Sequence, residues 1–361
     1  MASFKTAWRR LLPIFISVPV AVAACGGTPA SSGGADVGSG GLTGAGSTFV
    51  EPLLSKAFYA YSQQHPSVTV NYQAVGSGAG IQQFTKGTVD FGATDVPMNV
   101  AELAAAGGQD QVAEIPDTLG VVAIADNLPD VDKLQLDGDT LSKIYLGQIK
   151  RWDDPALRGL NPNAKLPAKD IVVVHRSDGS GTTYAFTDYL ANVSNGWKAQ
   201  VGTAKSVQWP AGIGASGNQA VAQAVKQNDG GIGYVELAYV VQTRMQMAFL
   251  KNQAGKFLQA SVAGATAAAA QNKSLSPDNF SIVNQPGADS YPVASFSWLI
   301  LKRNQGDATK GKALVHLVKW LVTDGQAQGR ELQYAPLPRP VEDLAVSSLK
   351  SVTAGGTPII K

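Results

Sequence analysis

From Leu42 onward the chain alternates short apolar runs with segments whose apolar residues recur at helical spacing. Phe49, Leu53, Leu54, Phe58 and Tyr61 share one face of a 3.6-residue period and predict a helix behind the turn GAGST. Val68, Val70 and Tyr72 then alternate with polar residues, as in a half-buried strand, before a glycine turn and a second helix start. VDFGATDVP predicts a short strand ending at a turn. Leu119–Ala125 and Ile171–His175 are almost uninterrupted apolar runs, the pattern of strands covered on both faces. Further on, Gly230–Val240 and YPVASFSWLILK carry strand-like runs, Gly311–Thr323 predicts an amphipathic helix, and the alanine-rich Val262–Ala270 predicts a helix start. Strand, loop and helix recur in this order without a long-period repeat, so the expected fold class is α/β.

The first 41 residues break this pattern. Lys5, Arg9 and Arg10 precede the apolar run Leu11–Ala24, a positive stretch followed by a segment too short to favour a spanning helix. Its small terminal residues lead into Cys25, the only cysteine. The arrangement resembles a bacterial lipobox, with valine where leucine is commoner. The expectation is a signal peptide over 1–24 and a lipidated Cys25 that anchors the exported protein to the outer face of the cell membrane. A thiol consumed by lipid leaves none for a disulfide. Residues 26–41 are rich in Gly and Ser and predict a flexible tether, with folding expected from Leu42.

At 361 residues, 44% of them hydrophobic and 16% charged, the chain is long enough for two globular domains. Removing the leader takes away three of the 29 basic residues and none of the 27 acidic ones, so the formal charge moves from +2 to −1. A near-neutral mature protein gives no electrostatic case for nucleic acid.

Three loops share one design: GAGST (Gly44–Thr48), GSGAG (Gly76–Gly80) and DGSGTT (Asp178–Thr183) each set small residues and hydroxyls before a helix pattern. Glycines let successive N–H groups turn toward one point, and a helix N-terminus adds unpaired donors, so each loop is a candidate anion cradle. Other readings fail on detail. None of the loops has the lysine of a Walker A motif. Ser180 lies in DGSGT, outside a G-x-S-x-G elbow, and the neighbouring His175 and Arg176 face opposite sides of a strand. His65 and His316 are isolated in sequence, so neither a metal site nor a cofactor is expected.

LTGAGSTFVEPLL, VNYQAVGSGAGIQQF, VDFGATDVPM, IYLGQIKRWDDPAL, HRSDGSGTTYAFTDYL and IGYVELAYV occur in this order, with YPVASFSWLI and YAPLP near the C-terminus. Together they resemble the phosphate-binding protein of the bacterial phosphate ABC transporter, over essentially the whole chain after the tether. The resemblance implies a two-lobed periplasmic-binding-protein fold, type II-like, with the ligand between the lobes and two hinge crossovers. It also implies inorganic phosphate as ligand, permease and ATPase subunits as partners, and a monomer without catalytic activity. Carried over residue by residue, it assigns phosphate contacts to Ser47, Thr48, Phe49 (through its N–H), Ser77, Asp95, Arg176, Ser180, Gly181 (through its backbone) and Thr182. Asp178 is then the partner that orients Arg176. Asp95 is the acceptor for the proton that phosphate retains and sulfate lacks. The region from about 251 to 284 receives no assignment.

The crossovers are expected near Val121–Asp126 and Tyr291–Ser295. One lobe would then comprise 42–124 with 292–361, and the other 125–291. RWDDP is expected to open a helix rather than supply an acid/base pair, and Trp152, Trp298 and Trp320 are expected in the core. From another class, the alternative is a phosphatase or phosphoryl-transfer enzyme with Ser180 or Thr182 as nucleophile. A second alternative keeps the binding role for another protonated oxyanion such as arsenate.

Overall fold

A computed structural model describes Val37–Lys361. The expected signal peptide, the lipidated Cys25 and most of the tether lie outside these residues. Eight strands form the main path of one nine-stranded mixed sheet, to which the short strand Gln246–Met247 adds at the end of β4: β1 (Gly40–Gly46), β2 (Val68–Ala74), β3 (Phe91–Thr94), β4 (Val112–Asp126), β5 (Val172–Arg176), β6 (Ile213–Ala215), β7 (Gly231–Glu236) and β8 (Ala294–Lys302). Their spatial order is β2-β1-β3-β8-β4-β7-β5-β6. β1 pairs parallel with β2 and β3, and β5 pairs parallel with β6 and β7. β8 runs antiparallel to β3 and β4, and β7 runs antiparallel to β4.

β4 joins the two halves. All of its 15 residues are buried. From Val112 to Val121 it pairs with β8; from Val122 to Asp126 it pairs with β7. The exchange of partners at Val121–Val122 divides the sheet into two lobes, one built on β1–β3 and β8, the other on β5–β7. Ala294, the first residue of β8, pairs with Val121, so the second passage of the chain lies beside the first.

Helices follow the strands as the periodicity predicts. α1 (Glu51–Gln64) buries Leu53, Leu54, Phe58 and Tyr61. α2 (Ser77–Thr85), α3 (Gly181–Val193), α4 (Gly217–Gln227), α5 (Leu237–Thr243) and α6 (Ala308–Val322) are the other helices that frame the lobes or the site. The alanine-rich run forms a helix over Val262–Ala269. RWDDP does open a helix: Asp154 caps it by accepting from the Ala156 N–H at 2.8 Å, and Pro155 takes the first position, where no N–H is needed. Trp152 and Trp298 are buried, and the Trp152 indole donates to Gly230 O at 2.9 Å. Trp320 is only partly buried and rests on Tyr61, their rings 5.3 Å apart.

Folding begins earlier than Leu42. β1 starts at Gly40, and Gly38 lies against α6, where a Cβ would stand 2.4 Å from Thr309 O. Composition alone hides this, because two glycines without side chains give a strand no apolar signal.

In the first lobe α2 packs closely on β1. A Cβ on Gly80 would lie 2.3 Å from Gly46 Cα and 2.6 Å from Ala45 O, so backbone meets backbone. Gly80→Ala is expected to cost about 1–3 kcal/mol in urea unfolding, the usual range for overpacking. Gly159→Ala has nothing within 4 Å of the added methyl and is expected to be neutral or mildly stabilising in the same titration.

Candidate functional site

The first lobe contributes three loops. β1 ends at Gly46, whose φ of +149° places its backbone where a Cβ would stand 2.0 Å from Ala93 O. The chain then turns through Ser47, Thr48 and Phe49 into α1. The Ser47 N–H donates to Ala93 O at 2.9 Å, and the Phe49 N–H donates to the Ser47 hydroxyl at 2.9 Å. Ser77 is the first residue of α2, positioned by the Gly76 N–H donating to Gly46 O at 2.8 Å. Asp95 follows β3, its carbonyl accepting from the Ser295 hydroxyl at 3.1 Å.

The second lobe contributes the rest. Arg176 ends β5. Ser180 caps α3 by accepting from the Thr183 N–H at 3.0 Å, which leaves Gly181 and Thr182 in the first helical turn. The side chains of Ser47, Thr48, Ser77, Asp95, Arg176, Ser180 and Thr182 are all buried.

These two sets meet directly. The Gly181 N–H donates to the Ser77 hydroxyl at 3.1 Å, and the Gly78 N–H to Gly179 O at 2.9 Å. A Cβ on Gly181 would lie 2.5 Å from that of Asp95, so only glycine admits this approach. At the rim, Lys205 of the second lobe pairs with Glu102 of the first at 2.5 Å.

Asp95 is the acceptor at the centre. The Ser47 hydroxyl donates to its Oδ1 at 2.5 Å, and the Ser77 hydroxyl lies 3.5 Å from its Oδ2. Burial pushes its carboxyl up to about 6, against the opposing pull of the Ser47 bond, the Arg176 charge and the Ser297 and Ser77 hydroxyls. Asp95 is therefore ionised at neutral pH yet titrates close to it. Arg176 is held by Asp178 in a fork, Nε to Oδ1 at 2.7 Å and Nη2 to Oδ2 at 2.5 Å, and its remaining arm lies 3.5 Å from the Thr182 hydroxyl. Burial pushes Asp178 up, but the Arg176 bonds and charge, with the Gly217 N–H, more than offset this and hold it below the usual carboxylate range.

The arrangement can present N–H, hydroxyl and guanidinium donors from both lobes around one carboxylate. Comparison with known proteins agrees with it. Residues 29–324 match the family model described as a PBP superfamily domain. The phosphate-binding protein PstS of Haemophilus influenzae is 41% identical over 314 residues, 86% of this chain and 91% of that one. PstS of Pasteurella multocida is 42% identical over 304 residues, 83% of this chain and 87% of that one. The chain belongs to the PstS family of the PBP superfamily. Among solved structures, a high-affinity periplasmic phosphate-binding protein (PfluDING) bound with phosphate aligns with a TM-score of 0.71 at 21% identity, covering 88% of this chain and 96% of that one. A phosphate-binding protein from Stenotrophomonas maltophilia aligns at 0.65 and 20% identity, covering 86% and 94%. These two establish the shared two-lobed fold.

In this member of the PstS family, a fourth loop joins the site that sequence reading did not assign. Asn218, completely buried at the start of α4, donates through Nδ2 to the hydroxyls of Thr48 at 2.9 Å and Thr182 at 3.1 Å, and through its N–H to Thr48 at 3.1 Å. Its own Oδ1 accepts from the Glu236 N–H at 3.0 Å, which fixes the amide. The signal was present: GASGN repeats the design of a glycine and hydroxyl turn before a helix. Tyr239, on α5, is a second addition; its hydroxyl donates to Thr48 O at 2.6 Å across the lobes.

The histidines stay outside. His175 stacks on Trp209, ring centroids 4.7 Å apart, and its Nδ1 lies 3.1 Å from Arg176 O. His65 ends α1 against Tyr61, and His316 lies within α6.

Arg176 and Asp178 carry a prediction. With the Arg176 side chain only 1% exposed, Asp178→Asn leaves a guanidinium buried without its counter-charge and is expected to cost about 3 kcal/mol in urea unfolding at pH 7. Because Asp178 is held below its ordinary value, its contribution is full above about pH 4 and is lost as pH falls through the lowered folded value. The wild type should therefore show an acid limb of stability that is shallower in the variant.

Proposed function

We propose that this chain captures inorganic phosphate outside the cytoplasmic membrane and delivers it to the permease and ATPase subunits of a phosphate ABC transporter. The observation that carries the reading is the placement of a buried carboxylate, Asp95, among donors from both lobes. Such a site suits a tetrahedral anion that keeps a proton. Ser47, Thr48, Ser77, Ser180 and Thr182 offer hydroxyls, Phe49 and Gly181 offer N–H groups, and Arg176 supplies the charge-assisted contact. Asp95 accepts the P–OH. Sulfate, fully ionised, would set lone pair against lone pair there. Membership of the PstS family supports the assignment.

Capture in this reading is a closure of the lobes, 42–124 with 292–361 against 125–291, about the passages at Val121–Asp126 and Tyr291–Ser295. Closing expels water and strengthens each hydrogen bond to the anion. The protein acts as a binder: Ser180 is occupied as a helix cap, and His175 is engaged with Trp209. Arsenate shares the proton that Asp95 reads, so the carboxylate does not discriminate against it. Signal-peptide removal at 1–24 and lipidation of Cys25 complete the reading, with the monomeric protein held at the outer face of the cell membrane.

Calorimetry with phosphate, sulfate and arsenate tests it. Phosphate binding is expected and its absence overturns the proposal; phosphate-ester turnover abolished by Ser180→Ala would favour an enzyme instead. Asp95→Asn is expected to narrow the phosphate-to-sulfate ratio by roughly tenfold or more, as for a lost buried hydrogen bond. In the wild type, sulfate competition should grow as pH falls through about 6, where Asp95 takes up a proton and becomes a donor. In the variant that dependence should be absent. For the anchor, Cys25→Ser is expected to move the protein from the membrane to the soluble fraction of cells, and an unchanged distribution counts against lipidation.

A further inference from the structure

A β-bulge sets a second buried carboxyl behind Asp95. On one side of β8, Trp298 pairs with Thr94, so Ser297 runs alongside Asp95. On the other side, Ser297 pairs with Thr118 and Trp298 with Pro116, which leaves Asp117 as the extra residue on β4 without a cross-strand partner. Pro116 has no N–H to give to the ladder, and the register shifts beside it. Bulges re-aim side chains and occur often beside functional sites. Here the bulged residue is an acid that is completely buried. Neither of its carboxyl oxygens has a partner in hydrogen-bonding geometry, nor has the hydroxyl of Ser297. That hydroxyl is nonetheless near enough to both acids to lower the pKa of each.

Asp95, Ser297 and Asp117 thus form a row in which two carboxyls flank one hydroxyl. A hydroxyl has a single proton to give, and two buried carboxylates so close together do not both ionise readily. The surroundings decide which one keeps a proton. Asp95 has the hydroxyls of Ser47 and Ser77 and the charge of Arg176; Asp117 has none of these. Burial pushes Asp117 up to about 8, the Asp95 charge adding to the rise against the opposing pull of the Ser297 hydroxyl and the N–H groups of Asp117 and Thr118.

We propose that Asp117 is a positioning residue for the anion site: it holds the proton that the Asp95–Ser297–Asp117 row retains at neutral pH, and so keeps Asp95 ionised to accept from a protonated oxyanion. The proposal rests on the phosphate-binding reading above. With Asp117 neutral and Asp95 ionised, the row carries one negative charge, at its ligand end. Other titratable groups face the row. Tyr72 lies near both acids, and Tyr334 and Glu236 lie near Asp95 from other elements. Burial pushes both tyrosines further up, so they keep their protons through the same range. Glu236, also pushed up by burial, caps α5 through the Ala238 N–H at 2.7 Å and accepts from Tyr334 at 3.2 Å. It therefore serves as the control.

At pH 8.5 inorganic phosphate is almost entirely the dianion, so nearly all proton exchange there reports the protein. A bound dianion raises the proton affinity of Asp117. Phosphate binding at pH 8.5, measured by calorimetry in buffers of different ionisation enthalpy, is expected to take up a large fraction of one proton. The affinity is expected to fall by up to about tenfold per pH unit above about 8. In Asp117→Asn the uptake and the slope should vanish, with affinity at pH 7 within about threefold of wild type. In Glu236→Gln both should persist. Absence of proton uptake by the wild type, its persistence in Asp117→Asn, or its loss in Glu236→Gln would each overturn the proposal. If the wild type bound no phosphate at any pH, the functional reading would fail separately. The carboxyl carbon signals of the unliganded protein still decide the inference then, because an Asp117 already ionised at pH 7 contradicts it.

Discussion

The molecule is organised around one costly placement, the burial of the Asp95 carboxylate where the lobes meet. An ionised group in such a position is tolerated only if it is well hydrogen-bonded or lies near opposite charge. Asp95 has both, and from different parts of the chain: Ser47 and Ser77 from the first lobe, the charge of Arg176 from the second. Gly181 is the reverse of the same constraint, since any side chain there would occupy the space of Asp95. The fit of the lobes and the chemistry of the acid are therefore one requirement.

β4 makes that requirement structural. It is buried from end to end, yet it carries Glu114, Asp117 and Asp126. A strand covered on both faces is usually apolar along its length, and acids there need a reason. Glu114 has one, accepting from the Met98 N–H at 2.7 Å in the segment that follows Asp95. Because this single strand pairs with β8 up to Val121 and with β7 from Val122, a change in the angle between the lobes must be absorbed there or at the neighbouring start of β8.

Periodicity made much of this legible. The helix behind Phe49, the alternating Val68–Tyr72 strand and the apolar runs at 119–125 and 171–175 all appear as elements of the expected kind. The glycine and hydroxyl loops were visible for the same local reason: each follows a strand pattern and precedes a helix pattern. The fourth escaped because β6 is three residues long and contributes no apolar run, so nothing flagged GASGN as a strand-to-helix turn. Tyr239 was hidden inside the apolar run of Gly230–Val240, where a hydroxyl reaching the other lobe leaves no pattern. The first half of β4 was obscured by Glu114, Pro116 and Asp117, which argue against a buried strand unless its bulge and its partners are known.

The remaining question is why the proposed anion site contains so little net positive charge. Its arginine is already paired with Asp178, and Asp95 adds a negative charge. The donors also find partners within the protein: Asn218 holds Thr48 and Thr182 together, and Ser77 accepts from Gly181. An anion entering such a network exchanges hydrogen bonds rather than creating them, and the net gain from each exchange is modest. Attraction by bulk charge would favour every oxyanion alike. When the donors are satisfied either way, the group that would sort one oxyanion from another in the proposed site is the one that asks for a proton, and among the side chains gathered here that group is Asp95.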